Sequence, residues 1–205
     1  MNVLEAIEKR RSVYSYKPEP IPEEILVELI RASHQAPSSH NLQPWEYVIV
    51  TDPTLREGLL QASPGNDQIG QAPAVVVCLG SMRQQDRLAD RWEAKIPPDA
   101  PPEEREYRLR VVEYMRTNKA FRREHVVTNT YIGISFLVLA AEQCGLGTSW
   151  IGGFDPEPVR SLLQIPADYE IVALVALGWP AEAEPRPRRR RPLEEIYGFN
   201  RLPGA

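Results

Sequence analysis

The chain has 205 residues, of which 42% are hydrophobic and 25% charged, and its formal net charge is −4. This length and composition are typical of one globular domain with a sizeable core, and the negative charge argues against a dedicated nucleic-acid-binding protein. The longest apolar stretch, near residues 136–141, is too short to span a bilayer. Two cysteines give no disulfide framework and the first residues lack the apolar core of a secretory signal, so we expect a cytoplasmic protein.

The predicted elements alternate between helices and strands. In chain order the patterns predict helices over residues 2–11 and from Pro22, a strand at 45–52, a short helix after Pro53, a strand at 74–80, helical pieces within 83–124, a helix over 125–143, a strand at 148–153, a helix at about 156–163 and a strand at 169–179. The strand AVVVCLG at 74–80 is apolar throughout, as expected at the centre of a sheet. Strands separated by helices indicate a sheet flanked by helices.

Four features concern surfaces. Val3, Leu4 and Ile7 share one face of the first helix, and the helix at 125–143 is apolar nearly all round, which predicts burial in a core or at a subunit interface. Residues 83–124 are dense in charge and interrupted by PPDAPP, so they form either a solvated helical insertion or a lid over a site. The expected apolar contacts of this segment are Trp92, Tyr107, Tyr114 and Phe121. The tail after Pro180 ends in apolar residues and should dock on something, for which a partner subunit is one candidate.

Arg10, Arg11 and Ser12 end the first predicted helix. One interpretation is a solvated helix terminus, where positive charge suits the helix dipole. The other is an anion site, because guanidinium groups hold phosphates through paired, charge-assisted hydrogen bonds. The arginine-rich run RPRRRR at 186–191 allows three interpretations: a solvated tail, attraction to nucleic acid, or arginines that close over a phosphate.

The stretch PSSHNLQPW, from Pro37 to Trp45, concentrates short polar groups on an irregular segment. It is either a surface turn or a loop whose polar groups are satisfied by a flat heteroaromatic ring. His40 belongs to this segment, and nothing nearby completes a catalytic triad. The glycines of GLGTSWIGGFD, at 145–155, would let a backbone approach a ligand closely. The sequence has no Cys/His cluster with metal spacing, no Walker loop and no GxGxxG.

Four of these motifs, in order and spacing, resemble the nitroreductase family over nearly the whole chain. They are RRS at 10–12, APSSHNLQPW at 36–45, GLGTSWIGGF at 145–154 and RRRRPLEEI at 188–196. The resemblance implies an α+β fold in which helices flank a central, mostly antiparallel sheet. It implies one domain over residues 1–205, with a lid-like helical insertion at about 83–124 and a C-terminal extension at about 180–205. It also implies an intertwined homodimer with two FMN sites between the chains.

The resemblance also implies which residues hold FMN. The phosphate and ribityl end would be bound by Arg10, Arg11 and Ser12, and the phosphate site would be completed by Arg188 and Arg190. The isoalloxazine ring would be lined on one side by Pro37, Ser38, Ser39 and Asn41 of the second subunit, and on the other side by Ile151, Gly152 and Gly153, with the Gly152 N–H toward flavin N5. The pyrimidine edge of the ring would be met by Gln68, or by Asn66. Tyr14 stands where the family usually has Arg or Lys, and a phenol would stabilise the anionic reduced flavin less than a cation does.

The activity that the resemblance implies belongs mainly to the cofactor. NADH or NADPH would deliver hydride to flavin N5, and a nitroaromatic, a quinone or a related small acceptor would then take it up. No side chain need act as a general acid or base, and no metal is implied. Two alternatives stay open: reductive dehalogenation of a halogenated phenol, and a flavin-holding or sensing protein with little turnover.

Overall fold

The computed structural model describes residues 2–181 and 188–202. Within these ranges the helices are α1 (Val3–Lys9), α2 (Glu23–His34), α3 (Pro53–Gln61), α4 (Gln68–Gln71), α5 (Met82–Glu93), α6 (Pro102–Thr117), α7 (Lys119–Gln143) and α8 (Pro156–Leu163). The strands are β1 (Trp45–Val50), β2 (Ala74–Ser81), β3 (Gly147–Ile151) and β4 (Tyr169–Gly178). Single 3₁₀ turns lie at Ser39–Asn41 and Leu193–Glu195.

The four strands form one sheet in the order β1-β2-β4-β3, and every neighbouring pair is antiparallel. The predicted α+β fold with a mostly antiparallel sheet is therefore confirmed. The strand predicted to lie at the centre of the sheet is β2, which is buried at every position. Among the described strands, β1 and β3 form the two edges.

Successive side chains of β2 point to opposite faces of the sheet. Because β2 is largely apolar and buried throughout, both faces are covered by helices. Val75 and Val77 pack in a core with residues of α3 and α8, whereas Val76 and Cys78 pack with residues of α2 and α7. Cys78 is a free, buried cysteine, and burial raises the pKa of its thiol, which disfavours the reactive thiolate. No helix among the described residues is both long and apolar enough to cross a membrane.

Helix α7 departs from the prediction in two ways. It begins at Lys119 rather than near residue 125, because the Asn118 side chain accepts a hydrogen bond from the Phe121 N–H at 2.9 Å and caps a longer helix. Its apolar residues are not buried all round within the chain. Ile134 and Leu137 lie in the core, whereas Phe136 is 38% exposed, like its neighbours Tyr131 and Ile132 on the same face.

Helix α1 also presents its apolar face to solvent. Of its residues only Ala6 is buried, while Val3 and Leu4 are 67% and 73% exposed and Ile7 is 44% exposed. A capping box formed by Asn2 and Glu5 fixes its start. The amphipathic pattern thus predicted the helix correctly, but the described residues of one chain supply no core for its apolar face.

Segment 83–124 contains most of α5, all of α6 and the first turns of α7, so the predicted helical pieces are confirmed. Its helices enclose a small apolar cluster built on Leu42, Leu88, Ala89, Val112 and Met115, with Trp92, Val111 and Phe121 packed against it. The predicted contacts of Trp92 and Phe121 are therefore confirmed. Tyr107 is 61% exposed, so its prediction was wrong; Tyr114 is half exposed and contacts the Phe121 ring at 5.1 Å between centroids.

Candidate functional site

Cationic side chains from both ends of the chain meet at the carboxyl end of α1. Arg10, Ser12 and Arg188 line a cleft of about 350 Å³, together with Ser135 of α7 and Trp150 of β3. Burial lowers the pKa of Arg10, and the guanidinium groups of Arg188 and Arg190 lower it further. Arg10 keeps its charge at neutral pH, because arginine titrates far above it. The cleft is therefore a place of positive potential that an anion would stabilise.

Arg188 and the neighbouring Arg11 also satisfy backbone groups at the end of the helix. Arg188 Nη1 donates to the carbonyl oxygens of Ile7 and Glu8, each at 2.9 Å, and Arg11 Nη1 donates to the Lys9 carbonyl at 2.8 Å. These carbonyls lack partners inside the helix, so the cations satisfy them and complement the helix dipole. Arg190 Nη1 donates to the Arg189 carbonyl. Arg186 and Pro187 of the arginine-rich run lie outside the described residues.

The segment after Arg11 lies against strand β3. Val13 N–H donates to the Thr148 carbonyl at 2.9 Å, and Ser12 pairs with Thr148 in a parallel bridge. A Cβ at Gly147 would come within 2.6 Å of the Val13 side chain, so only glycine permits this approach. The cationic cleft and β3 consequently form one continuous surface.

Strand β3 ends in an open stretch of backbone. Ile151 is buried, whereas Gly152 and Gly153 are exposed, and a Cβ at either glycine would meet no described atom within 4 Å. A flat group could therefore lie directly on this backbone. The predicted phosphate residues and the predicted ring residues of β3 are thus parts of the same surface.

Two amides border the same stretch. The Asn66 amide donates to the Gly153 carbonyl at 3.0 Å, and Gln68 Nε2 donates to Asn66 Oδ1 and to Ser149 Oγ, each at 3.2 Å. Gln68 is buried and its orientation is fixed by these contacts. Of the two residues named for the pyrimidine edge, Asn66 therefore contacts Gly153 directly, and Gln68 contacts Asn66 and Ser149. Tyr14 follows Ser12 and Val13 along the chain and is 42% exposed.

The loop at 38–43 has an unusual backbone. His40, Asn41 and Gln43 have φ values of 52°, 55° and 47°, in the left-handed region that non-glycine residues rarely adopt. Ser38 Oγ accepts from Gln43 N–H at 3.0 Å, and the Gln43 amide donates to Asn41 Oδ1 at 2.7 Å. The loop is irregular, as predicted, and its own polar side chains hold its shape. Pro37, at its start, is exposed.

Other elements anchor this loop away from the cationic cleft. Ser39 N–H donates to Asn129 Oδ1 of α7 at 2.7 Å, and the His40 ring contacts Trp92 of α5 at 5.2 Å between centroids. None of the described residues from Pro37 to Asn41 lines the cleft of Arg10 and Arg188. Within one chain, the structure therefore joins the first and third groups of predicted residues and leaves the loop apart. The prediction that the loop serves a second subunit stays a prediction.

Sequence reasoning missed Asn129. It is 5% exposed, in the middle of an apolar helix, and its amide also donates to the His125 carbonyl at 2.7 Å. A single buried amide in an apolar run was the available signal, because such a group needs partners on both its oxygen and its nitrogen.

Comparisons with known proteins place this chain in one class, the FMN-dependent oxidoreductases of α+β fold. The sequence model of the nitroreductase family matches residues 7–179. A relative named NADH dehydrogenase, from Thermus thermophilus, is 38% identical over 92% of this chain and 91% of its own length. The chain belongs to the nitroreductase family.

Solved structures agree with this assignment. A Bacillus subtilis protein described as a nitroreductase is 28% identical and superposes with a TM-score of 0.80, covering 96% of this chain and 97% of its own. An Exiguobacterium sibiricum protein, described as a nitroreductase in complex with FMN, is 22% identical and shares the fold with a TM-score of 0.78, at 97% coverage of both chains.

Proposed function

We propose that this chain binds FMN, accepts hydride from NADH or NADPH on flavin N5 and transfers it to a nitroaromatic, a quinone or a related small acceptor. The observation that carries the proposal is the cationic cleft of Arg10, Ser12 and Arg188 beside the open backbone at Gly152 and Gly153. One end of this surface suits a phosphate and the other suits a flat ring, which are the two ends of FMN.

At the phosphate end, Arg10, Arg11, Ser12, Arg188 and Arg190 would hold the anion. Arg10 and Arg188 already line the cleft, and the charges of Arg188 and Arg190 bear on Arg10. A phosphate dianion would relieve this repulsion and accept charge-assisted hydrogen bonds from the guanidinium groups. The residues present therefore fit the phosphate of FMN.

At the ring end, Ile151, Gly152 and Gly153 would support one face of the flavin, and Gln68 would meet its pyrimidine edge. Flavin supplies the hydride chemistry when it is bound. The chain's own contribution is placement, a backbone N–H near N5 and positive potential at the phosphate. Tyr14 would provide a phenol, rather than a cation, near the ring.

We also propose that the second face of the ring is lined by Pro37, Ser38, Ser39 and Asn41 of a second copy of the chain. Helix α7 carries the loop anchor Asn129 and, six residues later, the cleft residue Ser135. Its exposed residues Tyr131 and Ile132 lie between these two positions, and the exposed Phe136 directly follows Ser135. Two copies paired through this face, with antiparallel helices, would set the loop of each chain beside the cleft of the other.

The exposed apolar tail supports this homodimer. Leu193, Ile196, Tyr197, Phe199 and Leu202 are each at least half exposed, with Phe199 at 84%. Contiguous exposed apolar residues of this size mark an interaction surface. A C-terminal extension that reaches across a partner would bury them.

Segment 83–124 is proposed as a lid that selects the acceptor. Its helices surround Leu42 of the 38–43 loop through their apolar cluster, so the lid and the loop form one packed unit. In the proposed dimer this unit would face the flavin of the other chain. The identity of the lid's side chains would then decide which acceptor reaches the ring.

The test is the visible absorption spectrum of the purified protein, followed by addition of NADH or NADPH without oxygen. Flavin absorbance that bleaches on addition, and that an acceptor restores, supports the proposal. Absorbance that persists would favour a flavin-holding or sensing role. Oxidation of the reduced flavin by a halogenated phenol, with release of halide, would favour reductive dehalogenation if nitroaromatics and quinones do not oxidise it. Absence of flavin, with no uptake of added FMN, would overturn the proposal.

A further inference from the structure

A second cleft, of about 610 Å³, lies between α5, the carboxyl end of α2 and the 38–43 loop. The residues that line it and carry the inference are His34, Asn41, Gln43, Trp45, Arg87 and Arg91. Its volume is within the range of small-molecule sites. It shares no lining residue with the cleft of Arg10 and Arg188.

Arg87 and Arg91 are the charged centre of this cleft. They are one helical turn apart on α5 and therefore share a face, an arrangement of like charges that costs helix stability. Among the described residues, neither forms an ion pair, although ten other pairs are formed. The fold itself gives these two cations no structural role.

The acidic residues of α5 do not neutralise them, because other arginines already use those carboxylates. Asp86 pairs with Arg122 of α7 at 2.6 Å. Asp90, which lines the cleft, and Glu93 both pair with Arg116 of α6, at 2.7 and 2.6 Å. The acids of α5 thus tie the helices of the insertion together, and its arginines at 87 and 91 keep their charge for the cleft.

Trp45 also lines the cleft and is 6% exposed. Its indole N–H is buried and has no acceptor among the described residues. The two guanidinium groups without a carboxylate partner favour a ligand with negatively charged oxygens.

The position of the cleft indicates which anionic ligand it binds. Asn41 belongs both to this cleft and to the group proposed to line the flavin ring, so a ligand in the cleft would extend from the reaction centre. The reductant has this shape, because its nicotinamide must lie over the flavin while its phosphates lie further away. We propose that the cleft of Arg87 and Arg91 binds a phosphate group of NAD(P)H during flavin reduction. This inference rests on the proposed function.

Two phosphate groups could occupy the cleft, the pyrophosphate common to both nucleotides or the 2′-phosphate of NADPH. Calorimetric titration with ADP-ribose and with 2′-phospho-ADP-ribose separates them without any redox chemistry. We expect Arg87→Gln/Arg91→Gln to raise the Kd of the recognised probe about tenfold or more, the usual effect of losing a charge-assisted contact. If the variant loses affinity for both probes, the cleft binds the pyrophosphate. If it loses affinity only for 2′-phospho-ADP-ribose, the cleft binds the 2′-phosphate.

A kinetic experiment tests the same inference in the flavin-loaded protein. The rate of flavin reduction is followed without oxygen, with NADH, with NADPH and with 1-benzyl-1,4-dihydronicotinamide, which carries no phosphate. The double variant should need at least about tenfold more nucleotide for half-maximal rate, and it should react with the phosphate-free reductant as the parent does. Arg31→Gln is the matched control, because Arg31 is an exposed arginine of α2 outside the cleft.

The outcomes separate this inference from the proposed function. Parent-like binding of both probes by the double variant, or equal slowing with the phosphate-free reductant, would overturn the phosphate assignment. A protein that takes up no FMN would overturn the proposed function, while the titrations with ADP-ribose would still decide whether Arg87 and Arg91 bind phosphate. Because both arginines are exposed, their substitution should leave the fold intact, which circular dichroism verifies.

Discussion

At the scale of single residues, Asn129 is the group that fixes the strained loop. Left-handed backbone at non-glycine residues costs about 1–3 kcal/mol per position, so the three such residues at 40, 41 and 43 are held both by contacts within the loop and by contacts from other elements. Asn129 Oδ1 receives the Ser39 N–H, and the Asn129 amide is itself held by the His125 carbonyl. The amide group therefore determines where the loop lies relative to α7.

Replacement of Asn129 by leucine removes this acceptor and leaves the Ser39 N–H unsatisfied. We expect the free energy of unfolding to fall by about 1–3 kcal/mol. If the loop lines the flavin, the Kd for FMN should also rise, by about tenfold. Urea denaturation measures the first effect and quenching of flavin fluorescence measures the second. Thr128→Ala is the control, since Thr128 is the exposed residue directly before Asn129 and its hydroxyl donates to carbonyls of its own helix. An unchanged Kd for FMN in Asn129→Leu would contradict a role of the loop at the flavin.

His125, one turn earlier on α7, predicts a pH dependence of stability. Its Nδ1 donates to Gln85 Oε1 at 2.9 Å, and burial, with a smaller effect of nearby His40, lowers the pKa of His125 below its usual 6.5. The unfolded chain therefore takes up the proton at higher pH than the folded chain does. Neutral, partly buried His125 therefore contributes to the free energy of unfolding. This contribution is fully present above a pH of about 6.5 and is lost as the pH falls through the lower pKa of the folded state.

We therefore expect the free energy of unfolding to fall more between pH 7.5 and pH 5 in the parent protein than in His125→Gln. Urea denaturation at both pH values measures the difference, and glutamine retains an amide that can face Gln85. His34→Gln is the control, because His34 is an exposed histidine at the end of α2. The same pH dependence in the parent and in His125→Gln would contradict the argument.

At the scale of elements, sequence patterns correctly predicted those helices and strands whose formation depends on residues within one segment. The apolar run at 74–80 became β2, and Pro156 opens α8, because these signals depend on burial and backbone geometry close in sequence. The start of α7 was missed because the Asn118 cap was hidden in a polar segment. The three groups of the site are far apart in sequence, so the contact of Ser12 with Thr148 and that of Asn66 with Gly153 could not be predicted from residue patterns alone.

The junction of α1 with the C-terminal arginines yields a prediction for the phosphate site. Arg188→Ala/Arg190→Ala removes two of the charges that bear on Arg10, so the Kd for FMN should rise about tenfold or more. The ratio of flavin to protein absorbance measures occupancy, and fluorescence titration measures the Kd. Arg191→Ala is the control, since Arg191 instead pairs with Glu195 at 3.2 Å. Full FMN occupancy in the double variant would contradict the phosphate assignment.

At the scale of the whole molecule, the exposed apolar residues predict how stability depends on concentration. Phe199 is 84% exposed in the single chain, so Phe199→Ser should leave an isolated chain nearly as stable as before. In the proposed homodimer the same ring is buried by the partner, and its loss should weaken association. Size-exclusion chromatography with light scattering, over a range of dilutions, should give twice the chain mass of 23.3 kDa for the parent and a shift toward that mass for the variant.

This experiment also connects assembly to the flavin. If each FMN lies between the cleft of one chain and the 38–43 loop of the other, dilution that separates the subunits should release FMN in parallel, and Phe199→Ser should release it at higher protein concentration. Tyr107→Ser is the control, because Tyr107 is a similarly exposed aromatic residue, 61% accessible, on α6 and away from the tail. Equal association of the parent and Phe199→Ser would exclude the tail from the interface, and FMN that stays bound to separated chains would show that one chain completes the site.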